Sequence, residues 1–285
     1  MTIGRGDRTE ERILLCGLSP LARTLGRSLR RAGARVQGQD SDPRFEAEAV
    51  ASGSVDEVVP AAAPLDPSLT FALLSVPFQD LGPALARLGA ALPAATIVAD
   101  LSPLMLPSVP AARSVPEMIG RFVSSHPVLD EPIDEREDPF ENATVFVGAP
   151  LEPGSAASRV ADLWRSVGAR PEPIAPTLHD ALVALTHQLP ILSAAALTRA
   201  IRRTGSLTRT LAPGARTVLA DATRAAGGSS AAAAEALRLS APKLLPALEI
   251  LEREVRRLRQ ALGEEGDELQ SLLEEARTFR RELVA

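Results

Sequence analysis

Residues 12–20 read Arg-Ile-Leu-Leu-Cys-Gly-Leu-Ser-Pro, and Val-Gln-Gly-Gln-Asp follows at residues 36–40. The first apolar run predicts a strand that turns at Gly17 into an amphipathic helix, which ends at Gly33. The second run predicts a strand that ends at Asp40. This order is typical of a dinucleotide-binding βαβ unit, in which the turn and helix N-terminus hold a pyrophosphate and the acid holds the ribose.

The turn itself departs from the glycine-rich fingerprint of such units. The three glycine positions fall on Gly17, Ser19 and Ala22, and Pro20 lacks the N–H that would face a phosphate. Gly17, Ser19 and Asp40 are the candidate cofactor-binding residues. The alternative is purely structural, with Ser19 as the helix N-cap, Pro20 at the first helical position and Asp40 as part of a turn or cap.

Composition limits the class of protein. The chain has 285 residues, a hydrophobic fraction of 45% and a net charge of −5, which suits one large or two medium globular domains. No basic stretch carries aromatic residues, so we expect no nucleic-acid partner. No apolar run approaches a membrane span and the polar residues 1–11, expected to be flexible, lack a signal sequence, so we expect a cytoplasmic protein without a membrane partner.

The supply of metal ligands and thiols is small. The chain contains three histidines and one cysteine, which makes a metal site improbable and excludes a disulfide scaffold. Cys16 lies inside the first predicted strand, and we interpret it as a buried structural thiol rather than a nucleophile.

Strands and helices alternate along the first half of the chain. Further strands are predicted at residues 55–59, 71–76, 96–99, 122–125 and 144–148, with helices between several of them. This alternation predicts an α/β fold with a doubly wound, largely parallel sheet of the Rossmann type, whose ligands bind at the carboxyl ends of the strands. We place this domain at residues 12–150, with a boundary at 150–153.

The second predicted domain, residues 151–285, is all helical. An apolar stretch from 181 to 201, broken by Pro190, is typical of a domain core or a subunit interface. Residues 244–283 repeat leucine and valine at helical spacing with charges on the other face, which predicts a helical hairpin that packs against a partner subunit.

Several phrases, taken in order, resemble the prephenate and arogenate dehydrogenases of tyrosine biosynthesis. None is specific alone, but their order and spacing cover nearly the whole chain. Besides the strand-turn-helix start, they are Val-Gln-Gly-Gln-Asp at 36–40, Leu-Leu-Ser-Val-Pro at 73–77, Ile-Val-Ala-Asp at 97–100, Ser-His-Pro at 125–127, Asp-Pro-Phe-Glu-Asn-Ala-Thr at 138–144, Leu-Trp-Arg-Ser-Val-Gly-Ala-Arg at 163–170, His-Asp at 179–180, Leu-Pro at 189–190 and Asp-Ala-Thr-Arg at 221–224.

The resemblance implies a Rossmann domain, a helical dimerisation domain that makes a homodimer, and NAD- or NADP-dependent oxidative decarboxylation of prephenate or arogenate. It implies that His126 is the general base for the substrate hydroxyl, because a neutral imidazole suits that role. Arg224 is implied to anchor a substrate carboxylate, since its guanidinium fork matches one. The alternatives are a histidine that caps a strand end and an arginine in an ordinary salt bridge.

The chain also departs from the family pattern near these residues. Where the family has a Gly-Ser pair and a lysine, this chain has Ser102, Pro103 and Met105, so only Ser102 is left to assist the histidine. The family's Ser-His-Leu-Pro-His run falls on residues 187–191, where both family histidines are replaced. Val128-Leu129-Asp130 replaces a small neutral loop, which disfavours an anionic substrate.

These departures leave three functions open. The first is a working but atypical dehydrogenase of this family. The second is a non-redox enzyme that acts on a related small molecule after loss of hydride transfer. The third is a non-catalytic dimeric binding protein that uses the helical domain. Binding of NAD+ or NADP+ separates the first from the other two.

Overall fold

The protein divides into two compact units, Met1–Val183 and Ala184–Ala285. The computed structural model describes residues 11–129, 138–203, 213–228 and 230–284. Residues 1–10 of the predicted flexible N-terminus, and Asp130 of the predicted departure after His126, lie outside the described residues.

The first unit is built on one sheet of eight strands, in the order β3-β2-β1-β4-β5-β6-β7-β8. All neighbouring pairs are parallel except β6 and β7, which are antiparallel. The predicted doubly wound α/β fold is therefore confirmed, since β1 to β6 follow its usual strand order. The strands are β1 (Arg12–Cys16), β2 (Arg35–Gln39), β3 (Glu57–Val58), β4 (Phe71–Leu74), β5 (Ile97–Asp100), β6 (Phe122–Pro127), β7 (Thr144–Val147) and β8 (Arg170–Pro173).

Helices cover both faces of this sheet. Side chains of β1 alternate, so that Ile13 and Leu15 join one buried cluster while Leu14 and Cys16 join another. The first cluster is completed by α1 (Pro20–Arg31), α2 (Pro43–Ala51) and α5 (Ala156–Ser166), and the second by α3 (Phe78–Ala91) and α4 (Ser108–Arg113). The strands are consequently buried on both sides, which explains their continuous apolar runs.

The sheet unit extends further along the chain than the sequence predicted. Helix α5 packs on the sheet through Val160, Leu163 and Trp164, and β8 adds an edge strand beside β7. The expected boundary at residues 150–153 therefore falls inside the first unit, which continues through α6 (Pro176–Val183). β8 escaped prediction because its sequence, Arg-Pro-Glu-Pro, has two prolines, which sheets accept mainly at an edge.

The second unit is helical, as predicted. A π-helical turn at Ala184–Gln188 precedes α7, and Pro190 is tolerated as the second residue of that helix. The predicted hairpin is present as α10 and α11, joined in part by an ion pair between Arg257 and Glu268. The helices are α7 (Leu189–Arg203), α8 (Pro213–Thr223), α9 (Ser230–Leu239), α10 (Ala241–Gly263) and α11 (Glu268–Val284).

One helical stretch, Pro176–Arg203, is long and apolar enough to cross a membrane by length and composition alone. The prediction that no apolar run approaches such a length is therefore wrong for this stretch. A single helix of this kind is weak evidence for a membrane span, because core helices of globular proteins pass the same test. The stretch also includes a buried histidine and aspartate, His179 and Asp180, which a lipid environment would penalise.

The Gly17 turn provides a test of how the fold constrains this position. Gly17 has φ +87°, and a Cβ built on it would lie 2.2 Å from the carbonyl oxygen of Ser75. We expect Gly17→Ala to lower the free energy of unfolding by roughly 3 kcal/mol, because backbone strain and a clash add together. Urea denaturation of the variant and the wild type measures the change.

Gly33 is the matched control for this substitution. It has φ +95°, but a Cβ there would meet nothing within 4 Å. Gly33→Ala should therefore show only the strain, about 1 kcal/mol. Equal losses in the two variants would contradict the assigned clash.

Candidate functional site

The carboxyl ends of β1 and β4 form the point at which the strand order reverses, where doubly wound sheets bind ligands. Gly17 follows β1 directly, and its N–H donates to the carbonyl of Gln39 at 2.9 Å. Beside it, the N–H of Ser75 donates to the carbonyl of Cys16 at 2.8 Å. These contacts leave no room for a side chain at Gly17, so glycine is required here by the fold alone.

Ser19 caps α1, as its structural interpretation predicted. Its hydroxyl accepts a hydrogen bond from the N–H of Ala22 at 3.2 Å, and it lies 2.7 Å from the hydroxyl of Ser75. Pro20 is the first residue of the helix. Within the described residues, the N–H groups of Ser19 and Leu21 donate to no protein acceptor. Two backbone donors therefore remain at this helix N-terminus, where an anion is favoured.

Asp40 links the turn to the start of α2. Its Oδ2 accepts from the N–H of Leu18 at 2.6 Å, and its Oδ1 accepts from the N–H of Asp42 at 2.8 Å. Each carboxylate oxygen has a second lone pair, so ribose hydroxyls could still donate to Asp40. The residues at this edge therefore fit a dinucleotide, with one phosphate-facing N–H lost at Pro20.

His126 lies near the carboxyl end of β6 and belongs to a chain of hydrogen bonds. Its Nδ1 is 3.0 Å from Nε2 of His179, and Nδ1 of His179 is 2.8 Å from Oδ1 of Asp180. His126 is half-buried, whereas His179 and Asp180 on α6 are buried. All three residues belong to the first unit.

The Asp180 carboxylate is held by the segment that follows β5. Its Oδ1 accepts from the N–H of Met105 and its Oδ2 accepts from the N–H of Leu106, each at 2.9 Å. Phe146, opposite His126 on β7, packs against the edge of the His179 ring with centroids 5.5 Å apart. The ring of His179 is thus fixed on two sides.

Sequence reasoning did not select His179 or Asp180 as site residues. The only available signal was the His-Asp pair at 179–180, which stood among the phrases that resemble the family. His179 is 53 residues from His126 along the chain. The two side chains meet only because the fold brings α6 next to the end of β6.

Ser102 lies near a second buried acid, Asp100, at the end of β5. Burial raises the pKa of Asp100 to about 6, and the hydroxyls of Ser108, Ser124 and Ser102 partly offset this effect. In the described part of the chain, neither oxygen of Asp100 makes a side-chain hydrogen bond of ordinary geometry. Ser102 makes no hydrogen bond to His126 there either, so its predicted assistance to the histidine stays a prediction.

Arg224 lies in the second unit, on a 3-10 turn after α8. Its side chain is 73% exposed and pairs with Asp221 at 2.9 Å. This is the ordinary surface ion pair that the sequence left open as an alternative. The predicted role in carboxylate binding stays a prediction.

Two further sequence interpretations concern bulk and thiol chemistry. Leu129, which follows the His-Pro pair, packs against the main core cluster, so part of its bulk points away from any ligand.

Cys16 is buried, and burial raises the pKa of its thiol, which disfavours the nucleophilic thiolate. No group of three or more metal-ligating side chains occurs among residues whose positions are described.

Two family models match the chain over most of its length. The prephenate dehydrogenase nucleotide-binding domain matches residues 25–172, and the prephenate dehydrogenase dimerization domain matches residues 175–275. The chain belongs to the prephenate dehydrogenase family. The first match begins after Ala22, so it carries no information about the altered turn. The two matches meet close to the boundary between the two units.

Solved structures of the family share this fold. Prephenate dehydrogenase from Aquifex aeolicus, in complex with hydroxyphenyl propionate and NAD+, has a TM-score of 0.84 at 22% identity and covers 98% of this chain and 100% of its own. Arogenate dehydrogenase from Synechocystis has a TM-score of 0.72 at 22% identity, with 95% and 99% covered. A putative prephenate dehydrogenase from Corynebacterium glutamicum has a TM-score of 0.81 at 21% identity, with 96% and 88% covered. No curated protein matches the chain.

The buried Asp100 predicts an unusual pH dependence of stability in this family member. Its pKa of about 6 lies above the usual 3.8, so the folded state holds the proton more tightly than the unfolded state does. The stabilisation that the proton on Asp100 gives to the folded state is present at low pH and is lost as pH rises from about 4 through 6. Relative to the wild type, Asp100→Asn should gain about 2 kcal/mol of unfolding free energy between pH 4 and pH 7.

Urea denaturation of both proteins across this pH range measures the difference. Asp66→Asn is a control of opposite sign, because hydrogen bonds from Ser68 lower the pKa of Asp66. Its difference from the wild type should change in the opposite direction as pH rises. A wild-type and Asp100→Asn pair with parallel pH profiles would contradict the assignment.

Proposed function

We propose that this chain catalyses the NAD-dependent oxidative decarboxylation of prephenate or arogenate, with His126 as the general base. The observation that carries the proposal is the buried hydrogen-bond chain behind His126. β1 and β6 run in the same direction, so His126 and the Gly17 turn lie at the same edge of the sheet. A base and a dinucleotide site at one edge are what this reaction requires.

The reaction divides into two changes of bonding. His126 takes the proton of the ring hydroxyl while the carbon that carries this hydroxyl loses a hydride. The nicotinamide ring, when bound, accepts that hydride. The bond between the ring and its carboxylate then breaks, and the electron pair it releases makes the ring aromatic as CO2 leaves. Arg224 is proposed to hold a substrate carboxylate on the strength of the family's Thr-Arg motif.

The proposed cofactor is NAD rather than NADP. Asp40 carries a negative charge at the end of β2, where it suits ribose hydroxyls and repels a 2′-phosphate. The similar structure from Aquifex aeolicus contains NAD+, which supports this choice. The helix N-terminus after Gly17, with its unpaired N–H groups at Ser19 and Leu21, is the proposed pyrophosphate site.

We further propose that the protein is a homodimer through its second unit. The family's dimerization domain covers residues 175–275. Several large apolar side chains on α10 and α11 are exposed within that unit, and a partner surface would bury them. They are Leu245, Ile250, Val255, Leu258, Leu262, Leu273, Phe279 and Leu283.

A non-redox function on a related small molecule is the second candidate. It is favoured by the turn, where Pro20 removes a phosphate donor and the Ser19 hydroxyl pairs with Ser75. Calorimetry with NAD+ separates the two candidates. Micromolar binding supports the dehydrogenase, and no binding at millimolar NAD+ overturns it, since cofactors and substrates of enzymes act between these limits.

The role of His126 is tested by His126→Asn. We expect turnover of prephenate or arogenate, followed as NADH formation, to fall by about 10²- to 10⁴-fold, because a general base contributes that much. The NAD+ dissociation constant should stay within about twofold, since the change is remote from the phosphate turn. His187→Gln is the control, because His187 lies 2.8 Å from the hydroxyl of Thr186 and is not a member of the hydrogen-bond chain of His126, His179 and Asp180. Undiminished turnover in the His126→Asn protein would remove this residue from the mechanism.

The effect of Pro20 on NAD+ affinity is tested by Pro20→Ala, which restores an N–H at the start of α1. One additional charge-assisted hydrogen bond should tighten NAD+ binding by about tenfold. Pro116→Ala is the control, because Pro116 also begins a helical turn but precedes β6 and so lies toward the opposite edge of the sheet. An unchanged dissociation constant in Pro20→Ala would mean that the pyrophosphate does not bind at this turn.

A further inference from the structure

His179 occupies a position that can determine how His126 carries its proton. The rings meet at 3.0 Å between Nδ1 of His126 and Nε2 of His179, in an edge-to-face arrangement. The chain continues over 2.8 Å from Nδ1 of His179 to Oδ1 of Asp180. His179 is completely buried and Asp180 is 4% exposed, so bulk water does not compete for these atoms.

The direction of each hydrogen bond follows from the carboxylate end. Both oxygens of Asp180 accept backbone N–H groups, from Met105 and Leu106, and a backbone N–H can only donate. A carboxylate has no hydrogen to donate, so its oxygens act only as acceptors. His179 therefore donates from Nδ1. A neutral imidazole has one N–H, so Nε2 of His179 is an acceptor.

His126 must then donate from Nδ1 to complete the chain. We propose that His179 is a positioning residue that holds His126 in the Nδ1–H tautomer and leaves Nε2 as the nitrogen that takes the substrate proton. The proposal rests on the proposed function for the identity of that substrate. The tautomer, however, is a property of the protein without substrate.

The same arrangement accommodates the charge that the reaction creates. The O–H bond of the substrate breaks, an N–H bond forms at Nε2, and His126 becomes an imidazolium. Its Nδ1–H still donates to His179, whose far side faces the Asp180 carboxylate, so no ring has to turn. Among the residues that the structure describes, the acids on the elements around this chain are Asp180 on α6 and Asp100 at the end of β5.

His179 supplies an orienting contact to His126 from a side chain. The family resemblance assigns assistance of the histidine to a serine after β5, but Ser102 makes no hydrogen bond to His126 within the described residues. The segment after Ser102 instead holds Asp180 through Met105 and Leu106. The backbone after β5 thus orients His126 through two intervening side chains rather than through a hydroxyl.

The tautomer is measured by NMR on protein labelled with ¹⁵N-histidine. The chain has three histidines, and His187→Gln and His126→Asn assign their signals. In the neutral ring of the wild type we expect His126 to be protonated at Nδ1. His179→Phe should abolish this preference, and His179→Gln should restore it, because the amide oxygen can accept near the place of Nε2. Protonation of His126 at Nε2 in the wild type would overturn the proposal without any variant.

Kinetics give a second and separate readout. In His179→Phe, kcat should fall about 10- to 100-fold, the usual effect of losing an orienting partner, while KM for prephenate stays within about twofold. His179→Gln should recover most of kcat, and Asp100→Asn should leave the tautomer of His126 unchanged. A folded His179→Phe protein that keeps both the Nδ1–H tautomer and wild-type kcat would overturn the proposal.

The two readouts distinguish this proposal from the proposed function. If the wild type turns over neither prephenate nor arogenate, the proposed function fails and the NMR measurement alone decides the role of His179. If the wild type is active but His126 is protonated at Nε2, the function stands and the positioning role fails. Circular dichroism of each variant verifies that the fold is intact.

Discussion

The carboxylate of Asp180 is the group on which the geometry of the candidate base depends. It accepts hydrogen bonds from the backbone after β5 and from His179 on α6, and His179 reaches His126 on β6. Without this acceptor, two backbone N–H groups and one imidazole N–H would be left unpaired in the interior, at about 1–3 kcal/mol each. Unpaired donors are costly where water is excluded, as it is around His179. Asp180 therefore helps to hold His126 in place through His179, although it does not contact His126 itself.

The sequence predicted those features that are written in contiguous residues. The apolar runs of β1 and β4, the cap at Ser19 and the end of α1 at Gly33 each depend on a few neighbouring side chains, and the structure confirms them. The same dependence on neighbouring residues explains why the sequence did not predict β8. Its prolines argue locally against a strand, and only its position at the sheet edge, beside β7, permits them.

The candidate site was only partly predictable because most of its contacts are not local. His126 was selected from a motif. His179 and Asp180 lie on a helix, and the pattern of apolar residues that predicts a helix does not show whether a polar side chain on it binds a ligand or another residue. At Ser19 and Leu21, whose N–H groups have no acceptor in the described part of the chain, the outcome also depends on where the Ser19 hydroxyl points. Long-range hydrogen bonds of this kind follow from the packed fold and leave no periodic signal in the sequence.

The two halves of the site differ in how much change they tolerate. Binding of a pyrophosphate is shared among several backbone N–H groups and the dipole of α1, so the loss of one donor at Pro20 weakens binding only in part. Proton transfer depends on one nitrogen of one histidine in one tautomer, so a break in its supporting chain should lower kcat by about 10- to 100-fold. The chain departs from its family in both halves, at the Gly17 turn and around His126, but the hydrogen bonds behind His126 are complete as far as both oxygens of Asp180. Complete hydrogen bonding is what a buried histidine and aspartate require in any folded protein, and it is also what the proposed proton transfer at His126 requires.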